Sequence, residues 1–251
     1  MYRATVKQQK QPERLVKNEM EIDPILLEEV EWKTFDTLYA LDSFGAYWLE
    51  NERLIKEAAE AEEKRSGPKW IPHTAEEYAE FDGSRRDSRH LQDEIVTPTF
   101  RYSCVVMLYA IVERELLRLV ENLEKERGIQ KLKHKDLRGS LLTQVAKFAE
   151  VFFNLRLPDC PQHNALCDLQ KVRDCIVHCR GELTLFKEED RAYLVGLKDR
   201  RPGFFAWERA DIEIEPPCIE QFIKEMWRFF IWVFHELKWN VDDSWKENRW
   251  T

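Results

Sequence analysis

The amino-acid sequence predicts a mainly α-helical protein, and three observations support this fold class. The chain has 251 residues, 34% of them charged and only 8 Gly and 10 Pro, a composition typical of helix-rich soluble proteins. Apolar residues recur at intervals of three and four in several long segments, as they do along one face of a helix. The hydrophobic fraction of 43%, with 9 Trp, is enough for a large core. We therefore expect a helical bundle, formed by one domain or by one domain with an added helical arm.

The N-terminal part of the chain divides into two segments. Residues 1–23 are polar, and we predict that they are disordered. Residues 24–97 are predicted to form a helical arm and a connector. The pattern indicates a bend near 42–45, and the end of the arm at 56–64, rich in Ala, Glu and Lys, is typical of a solvated helix. The apolar side of the arm consists of Leu27, Val30, Leu38, Leu41 and Trp48.

A helical domain is predicted from residue 98 to residue 240, followed by a C-terminal tail at 241–251. Its first helix runs from about 99 to 126, and within it we interpret the long apolar run at 104–112 as a buried helix core. Ser140 is a suitable N-cap for the next helix. The seam of the last helix, which ends near Trp239, consists of Ile219, Ile223, Met226, Phe230, Val233 and Leu237.

A small β-hairpin insertion is predicted before the last helix. Two apolar runs, 192–197 and 204–207, are separated by a segment containing Pro202 and Gly203, which is the pattern of two strands and a turn. Residues 211–215 alternate between charged and apolar, as a short strand does.

The helix that ends near Gly181 carries the candidate site. Arg173, Asp174 and His178 fall outside its apolar seam. Asp174 and His178 are four residues apart, so the carboxylate can hydrogen-bond the imidazole and fix its tautomer. Arg173 lies five residues before His178, about 140° round the helix, so one copy cannot bring both side chains onto one small ligand, whereas two copies crossing at a two-fold axis can. The seam consists of Ala165, Leu169, Val172, Ile176 and Cys179.

Arg173, four intervening residues and His178, late in a helix of a compact helical domain, resemble the R-x4–6-H motif of the HEPN superfamily. The long helix containing Glu113-Arg114-Glu115-Leu116 resembles the first helix of such domains, and the resemblance covers roughly 98–240. It implies a helical bundle of HEPN type that forms a homodimer and acts as a metal-independent ribonuclease. The residue after the arginine is often Asn in the family and is Asp174 here. Some family toxins carry a modified Tyr two residues after the His, where this chain has Arg180.

The chemistry implied by the resemblance assigns catalytic roles to Arg173, His178 and Asp174. Histidine titrates near neutral pH, so it can activate a 2′-hydroxyl or protonate a leaving 5′-oxygen. A guanidinium can stabilise the charge that develops on the phosphorane oxygens. By the resemblance the pairs meet across the dimer interface, and Asp174 orients the histidine. The alternative is structural: Arg173 and Asp174 are ordinary surface charges, and His178 is favourable near a helix C-terminus because of the helix dipole.

RNA binding is predicted for Arg180 and for the most basic stretch of the chain, which can steer phosphates toward a nearby active site. That stretch is also consistent with an ordinary charged surface turn, because no aromatic residue is interleaved for base stacking. The net charge of −8 argues against a broad nucleic-acid-coating surface, so an RNA site must be a local basic pocket. The basic stretch comprises Lys131, Lys133, Lys135 and Arg138.

Metal, cofactor and membrane sites are not predicted. Six Cys and His residues lie between Cys160 and Cys179, and their spacing loosely fits zinc, but helical phase explains most of them and no metal is assigned. No glycine-rich phosphate loop is found, so no cofactor is predicted. The cysteines show no disulfide framework and no segment approaches the length of an apolar membrane span, so we expect a cytoplasmic protein with reduced thiols.

The sequence therefore predicts a homodimeric, metal-independent endoribonuclease, with a toxin or defence role as the setting that the resemblance implies. Its expected partners are RNA and an antitoxin or regulatory protein. The alternative is a non-catalytic dimeric module of the same fold that binds RNA or a protein partner; the acidic net charge favours this alternative.

Overall fold

The computed structural model describes residues 24–65, 74–78, 91–126, 128–129, 133–207, 211–242, 245 and 250, so the predicted disordered segment 1–23 lies outside it. The predicted mainly α-helical class is confirmed. A π-helical stretch, Leu91–Val96, leads into α2, and short 3₁₀ turns follow α2, α3 and α4. The helices are α1 (Pro24–Arg65), α2 (Thr97–Glu126), α3 (Leu141–Phe153), α4 (His163–Cys179), α5 (Glu188–Leu197) and α6 (Pro216–Glu236).

The central helix of the bundle is α2, which contacts α1, α3, α4 and α6. The interpretation of its apolar run as a buried core is correct for one side only. Val105, Leu108 and Val112 are buried, whereas Met107 is 41% exposed and Ala110 is also exposed. The outer side of α2 is therefore an apolar surface.

Helix α1 is continuous through residues 42–45, so Gly45 does not break the helix, and the predicted bend stays a prediction. Gly45 serves close packing instead, because a Cβ there would lie 2.2 Å from the ring of Trp250. The middle of α1 is part of the same core as the rest of the chain: Leu38 and Leu41 are fully buried, and Trp48 is fully buried and stacks on Phe100 with ring centroids 5.7 Å apart. The end of the helix at 56–62 is largely exposed, as expected of a solvated helix.

The predicted hairpin is wrong in its first strand. Residues 192–197 belong to α5, which buries Leu194 and Leu197 at helical spacing. The strand at 204–205 is real, but its antiparallel partner is 213–214. A short apolar run cannot be assigned to helix or strand from periodicity alone, and here the acidic first turn of α5 favours the helix. The two strands are β1 (Phe204–Phe205) and β2 (Glu213–Ile214).

A buried ionic cluster joins α4 to α6. The carboxylate of Asp168, 1% exposed, accepts two hydrogen bonds from Arg201, at 2.8 and 3.0 Å. It also accepts one from Arg200 at 3.0 Å and one from the Tyr193 hydroxyl at 2.5 Å. Arg201 forms a second ion pair with Glu225 of α6. Because every charge in the cluster has a partner, the cluster fixes the loop after α5 against the bundle.

One helix in the described part of the chain, Glu94–Glu126, is long and apolar enough to cross a membrane by length and composition. It comprises α2 and the three residues before it. Since α2 packs against four other helices, and since the core helices of soluble proteins pass the same test, this is weak support for a membrane span. A cytoplasmic location stays a prediction.

Candidate functional site

The exposed side of α4 carries the motif residues. The seam opposite is buried, with Val172 and Cys175 fully enclosed and Asp168 in the ionic cluster. Arg173 and Asp174 are half-buried, His178 is exposed, and Val177 between them is 46% exposed. We call Arg173, Asp174, Val177 and His178 the motif stripe. The helix ends directly after the stripe, where Arg180 takes a left-handed backbone conformation with φ of 57°.

Arg173 is held by two neighbours. Its Nη1 donates a hydrogen bond to Oδ1 of Asp174 at 2.8 Å, and its guanidinium carbon lies 5.3 Å from the ring centre of Tyr109 on α2. A guanidinium over an aromatic face is attracted by the ring quadrupole. The side chain is therefore oriented before any ligand arrives, with 28% of its surface exposed.

Tyr109 is a site residue that the sequence analysis missed. Burial raises the pKa of its phenol, and the carboxylates of Glu113 and Asp174 raise it further, against an opposing effect from Arg173. Tyr109 is thus neutral at physiological pH and supports the guanidinium through its ring face. The signal in the sequence was weak, because an aromatic residue beside the α2 seam is an ordinary core residue.

His178 has no hydrogen-bond partner for its imidazole among the residues that the structure describes. The bond predicted between Asp174 and His178 is not formed, since Asp174 bonds Arg173. The physical reason is that a guanidinium beside a carboxylate forms a charge-assisted hydrogen bond, which is stronger than one to a neutral imidazole. Within one chain, Asp174 thus orients the arginine, and the histidine projects freely from the stripe.

Arg180 lies in a groove next to the stripe. The groove has a volume of about 1060 Å³ and is bounded by α2, the end of α4 and β2. Ile176 and Arg180 of α4 line it, so it meets α4 at the end that carries His178. Among the described residues with a predicted RNA-binding role, Arg180 is thus the one that lies close to the motif stripe.

The basic stretch lies at the other end of α2. Lys133, Lys135 and Arg138 are exposed, and Lys131 lies outside the described residues. His134, between the two lysines, bonds Glu124 through its backbone N–H at 2.9 Å and its Nδ1 at 3.0 Å. Glu124 is fifteen residues beyond Tyr109, about 22 Å along the helix at 1.5 Å per residue. Within one chain, the structure therefore does not bring the basic stretch to the motif stripe.

The cysteine- and histidine-rich segment does not converge on one point. No group of three or more His, Cys, Asp or Glu side chains within the described ranges is arranged to hold a metal ion. Cys175 and Cys179 face the core, and burial raises the pKa of Cys175 to about 12. His163 and Cys167 lie 3.9 Å apart, and burial lowers the pKa of the histidine. The zinc alternative gains no support from this geometry.

No protein-family model, no curated protein and no solved structure matches this chain. The HEPN resemblance therefore rests on the spacing of Arg173 and His178 and on their position in a helical bundle. The family assignment stays a prediction.

Proposed function

We propose that the protein is a homodimeric, metal-independent endoribonuclease of HEPN type, with Arg173 and His178 as its catalytic residues. The observation that carries the proposal is the motif stripe, in which an oriented guanidinium and an exposed imidazole lie about 140° apart on α4 with an exposed valine between them, and the imidazole has no partner among the described residues. A valine that is 46% exposed between charged residues suits a small apolar contact between two copies of α4.

In this mechanism, two copies of α4 cross near Val177, and His178 of one copy faces the partner's Arg173. His178 takes the proton of the 2′-hydroxyl, and the 2′-oxygen attacks the adjacent phosphorus. The bond from phosphorus to the 5′-oxygen breaks, and that oxygen accepts a proton from solvent water as it leaves. Arg173 stabilises the charge on the non-bridging oxygens. The products are a 2′,3′-cyclic phosphate and a 5′-hydroxyl.

In this mechanism we assign Asp174 a different role from the one predicted from the sequence. Its carboxylate fixes Arg173 over Tyr109 and partly neutralises the guanidinium. It is therefore a positioning residue for the arginine in this mechanism.

The second candidate is a non-catalytic dimeric module that binds RNA or a protein partner. Two observations favour it: the net charge of −8 and the neutralisation of Arg173 by its neighbour. By the HEPN resemblance, either function is set in cytoplasmic defence or toxin–antitoxin biology, with an antitoxin or regulatory protein as a partner.

The test is cleavage of single-stranded RNA by the purified full chain in EDTA. Wild type is compared with Arg173→Ala and His178→Ala, and with two matched controls, Arg156→Ala and His235→Ala, which remove an exposed residue of each type outside α4. We expect cleavage by wild type and both controls, with 2′,3′-cyclic phosphate ends, and a loss of at least a hundredfold in the two motif variants. Equal cleavage by all five proteins, or none by a folded wild-type dimer, contradicts the proposal.

A further inference from the structure

The groove beside the motif stripe has a rigid wall. The Tyr102 hydroxyl donates a hydrogen bond to the Ile212 carbonyl, and the Ile212 N–H donates one to the Gly181 carbonyl at 2.9 Å. Arg101 bonds the Ile214 carbonyl at 3.3 Å and forms a two-pronged ion pair with Glu52, at 3.0 and 3.2 Å. The segment that ends in β2 is thus fixed to α2, and the charge of Arg101 is already compensated. A site built on such elements is preorganised.

An aromatic surface forms one side of the groove. Trp207 lines the groove and is 51% exposed, and its ring stacks on that of Phe205 with centroids 6.0 Å apart and planes 10° apart. The exposed indole face is large, flat and held in place from behind. Proteins bind unpaired bases of single-stranded RNA by stacking them on such faces.

The polar groups of the groove match the two polar parts of a nucleotide. Arg180 is exposed and has no hydrogen-bond or ion-pair partner among the described residues, so its guanidinium is available to a phosphate. Asp211 and Glu213 are exposed, two residues apart on the fixed wall, and can accept hydrogen bonds from a base edge. Carboxylates select base edges that carry donors; guanine presents an N–H and an amino group side by side, whereas uracil presents a single N–H between two carbonyls, which repel a carboxylate.

We propose that this groove binds the nucleotide next to the cleaved bond of single-stranded RNA, with its base stacked on Trp207 and its phosphate on Arg180, and that Asp211 and Glu213 make it prefer guanine and disfavour uracil. The inference rests on the proposed ribonuclease function. Ile176 and Arg180 of α4 line the groove and lie within two residues of Val177 and His178, so a nucleotide bound there lies beside the end of the motif stripe.

Two measurements test the groove. The first maps the cleavage sites of wild type in a random-sequence single-stranded RNA pool by sequencing the 2′,3′-cyclic ends. The second measures binding of guanine-rich and uracil-rich oligonucleotides to His178→Ala, which does not cleave them. The variants are Trp207→Ala and the double variant Asp211→Asn with Glu213→Gln. The matched controls are Trp32→Ala and Glu60→Gln, an exposed Trp and an exposed Glu on α1.

We expect wild type to prefer guanine to uracil at one position beside the cut. Trp207→Ala should weaken binding about tenfold, as the loss of one stacked base does. The double carboxylate variant should reduce the guanine preference about fivefold or more. Both controls should behave as wild type.

The outcomes separate this inference from the proposed function. Cleavage by wild type with a pattern that Trp207→Ala leaves unchanged overturns the groove assignment and leaves the ribonuclease intact. If wild type does not cleave RNA, the binding measurement still tests the groove. Equal affinity for the guanine-rich and uracil-rich oligonucleotides, unchanged by Trp207→Ala, overturns the assignment. A lysine-rich peptide is also compared with the two oligonucleotides. If the peptide binds more tightly than either oligonucleotide and the double carboxylate variant does not bind it, the groove belongs to a protein partner and the nucleotide assignment is overturned.

Discussion

Arg173 donates a hydrogen bond to Asp174 at 2.8 Å while its guanidinium lies over the ring of Tyr109. The motif arginine is therefore oriented by its own neighbour in sequence and by a residue 64 positions earlier. A phosphate that approaches Arg173 meets the Asp174 carboxylate as well, so under the proposed function the contact that orients the guanidinium competes with RNA.

Replacing Asp174 by Asn is expected to strengthen RNA binding. The amide keeps the size of the side chain and removes the repulsion, and exposed or half-exposed ion pairs of this kind contribute about 0.2–1 kcal/mol. We expect KM for RNA to fall by about twofold to fivefold at low salt, with kcat nearly unchanged, and the effect to shrink as salt is raised. Asp159→Asn, at an exposed carboxylate 3.8 Å from Arg156, is the control and should change neither constant.

A loss of kcat in Asp174→Asn would support the role predicted from the sequence, in which Asp174 orients His178. If Asp174→Asn lowers kcat as strongly as His178→Ala and shifts the pH profile of cleavage, the carboxylate acts on the histidine in the dimer. The KM and kcat values therefore distinguish an arginine-positioning from a histidine-positioning carboxylate.

Substitution of Trp48 tests whether the packing of α1 contributes to the stability of the core. It is fully buried and stacked on Phe100, so truncation to Ala leaves a large cavity. We expect Trp48→Ala to lower the free energy of unfolding by about 3–5 kcal/mol, measured by urea denaturation. Leu54→Ala, six residues later and exposed, should change it by less than about 0.5 kcal/mol. Similar small losses in both variants would mean that α1 does not contribute to the stability of the bundle.

Among the polar residues of the core, we expect Asp168 to be the one whose substitution lowers the free energy of unfolding most. Asp168→Ala leaves Arg201 without its two-pronged partner in a buried position, which costs about 3–5 kcal/mol of unfolding free energy. Tyr193→Phe removes one hydrogen bond from the same carboxylate and should cost about 1 kcal/mol. Thermal and urea unfolding of both variants measure which substitution destabilises the protein more. A larger loss of unfolding free energy in Tyr193→Phe than in Asp168→Ala would contradict the prediction.

Most of the helices, though not α5, could be predicted from the sequence because their signal is local. The α6 seam, for example, repeats apolar residues at intervals of three and four, and Ile219, Met226 and Phe230 are buried as the pattern requires. Capping is equally local: Ser140 accepts the hydrogen bond of the Thr143 N–H, as expected of an N-cap.

The remaining features depend on contacts between distant residues. The partner of β1 is 213–214, and the support of Arg173 comes from Tyr109; neither contact has a local pattern. Asp168 did leave a signal, because it lies four residues before Val172 and thus on the apolar seam of α4. A carboxylate on such a seam requires a buried partner, although its neighbours in sequence do not reveal that the partner is Arg201.

Glu124 and His134 give the protein a predicted sensitivity to acid. Burial raises the pKa of the Glu124 carboxyl, but the hydrogen bonds from the backbone and ring of His134 outweigh it, and the pKa lies below its ordinary value of 4.5. The unfolded chain therefore binds more protons at acidic pH, so this stabilisation is complete above about pH 4.5 and is lost as the pH falls through the lower folded pKa.

The measurement compares urea unfolding of wild type and Glu124→Gln at pH 5.5 and at pH 3. We expect the variant to be about 1–2 kcal/mol less stable at pH 5.5, because the hydrogen bonds to a charged acceptor are lost, and the difference to narrow at pH 3. Glu121→Gln, at an exposed position one turn earlier, should not show this change. If the difference in unfolding free energy between wild type and Glu124→Gln is the same at both pH values, the titration of Glu124 does not cause the loss of stability in acid.

Mixing two inactive variants tests whether the site is shared between two copies. Arg173 and His178 lie about 140° apart on α4, and in the proposed mechanism each site takes its arginine from one copy and its histidine from the other. In a heterodimer of Arg173→Ala and His178→Ala, one of the two sites has both mutated positions and the second has neither. An equimolar mixture in which copies exchange freely contains half heterodimers, so we expect about a quarter of wild-type activity to return.

The control for this recovery is a substitution at the proposed contact. Val177→Glu places a charge where two copies of α4 meet, so it should separate the copies and abolish both cleavage and recovery while the helical content stays that of wild type. Recovery in the mixture together with its loss in the Val177→Glu background requires a site built from two chains. If heterodimers form, as shown by mass spectrometry of differently tagged copies, and no activity returns, then Arg173 and His178 do not act across a two-fold axis. In that case the exposed imidazole belongs to a binding surface, and the non-catalytic module becomes the better description.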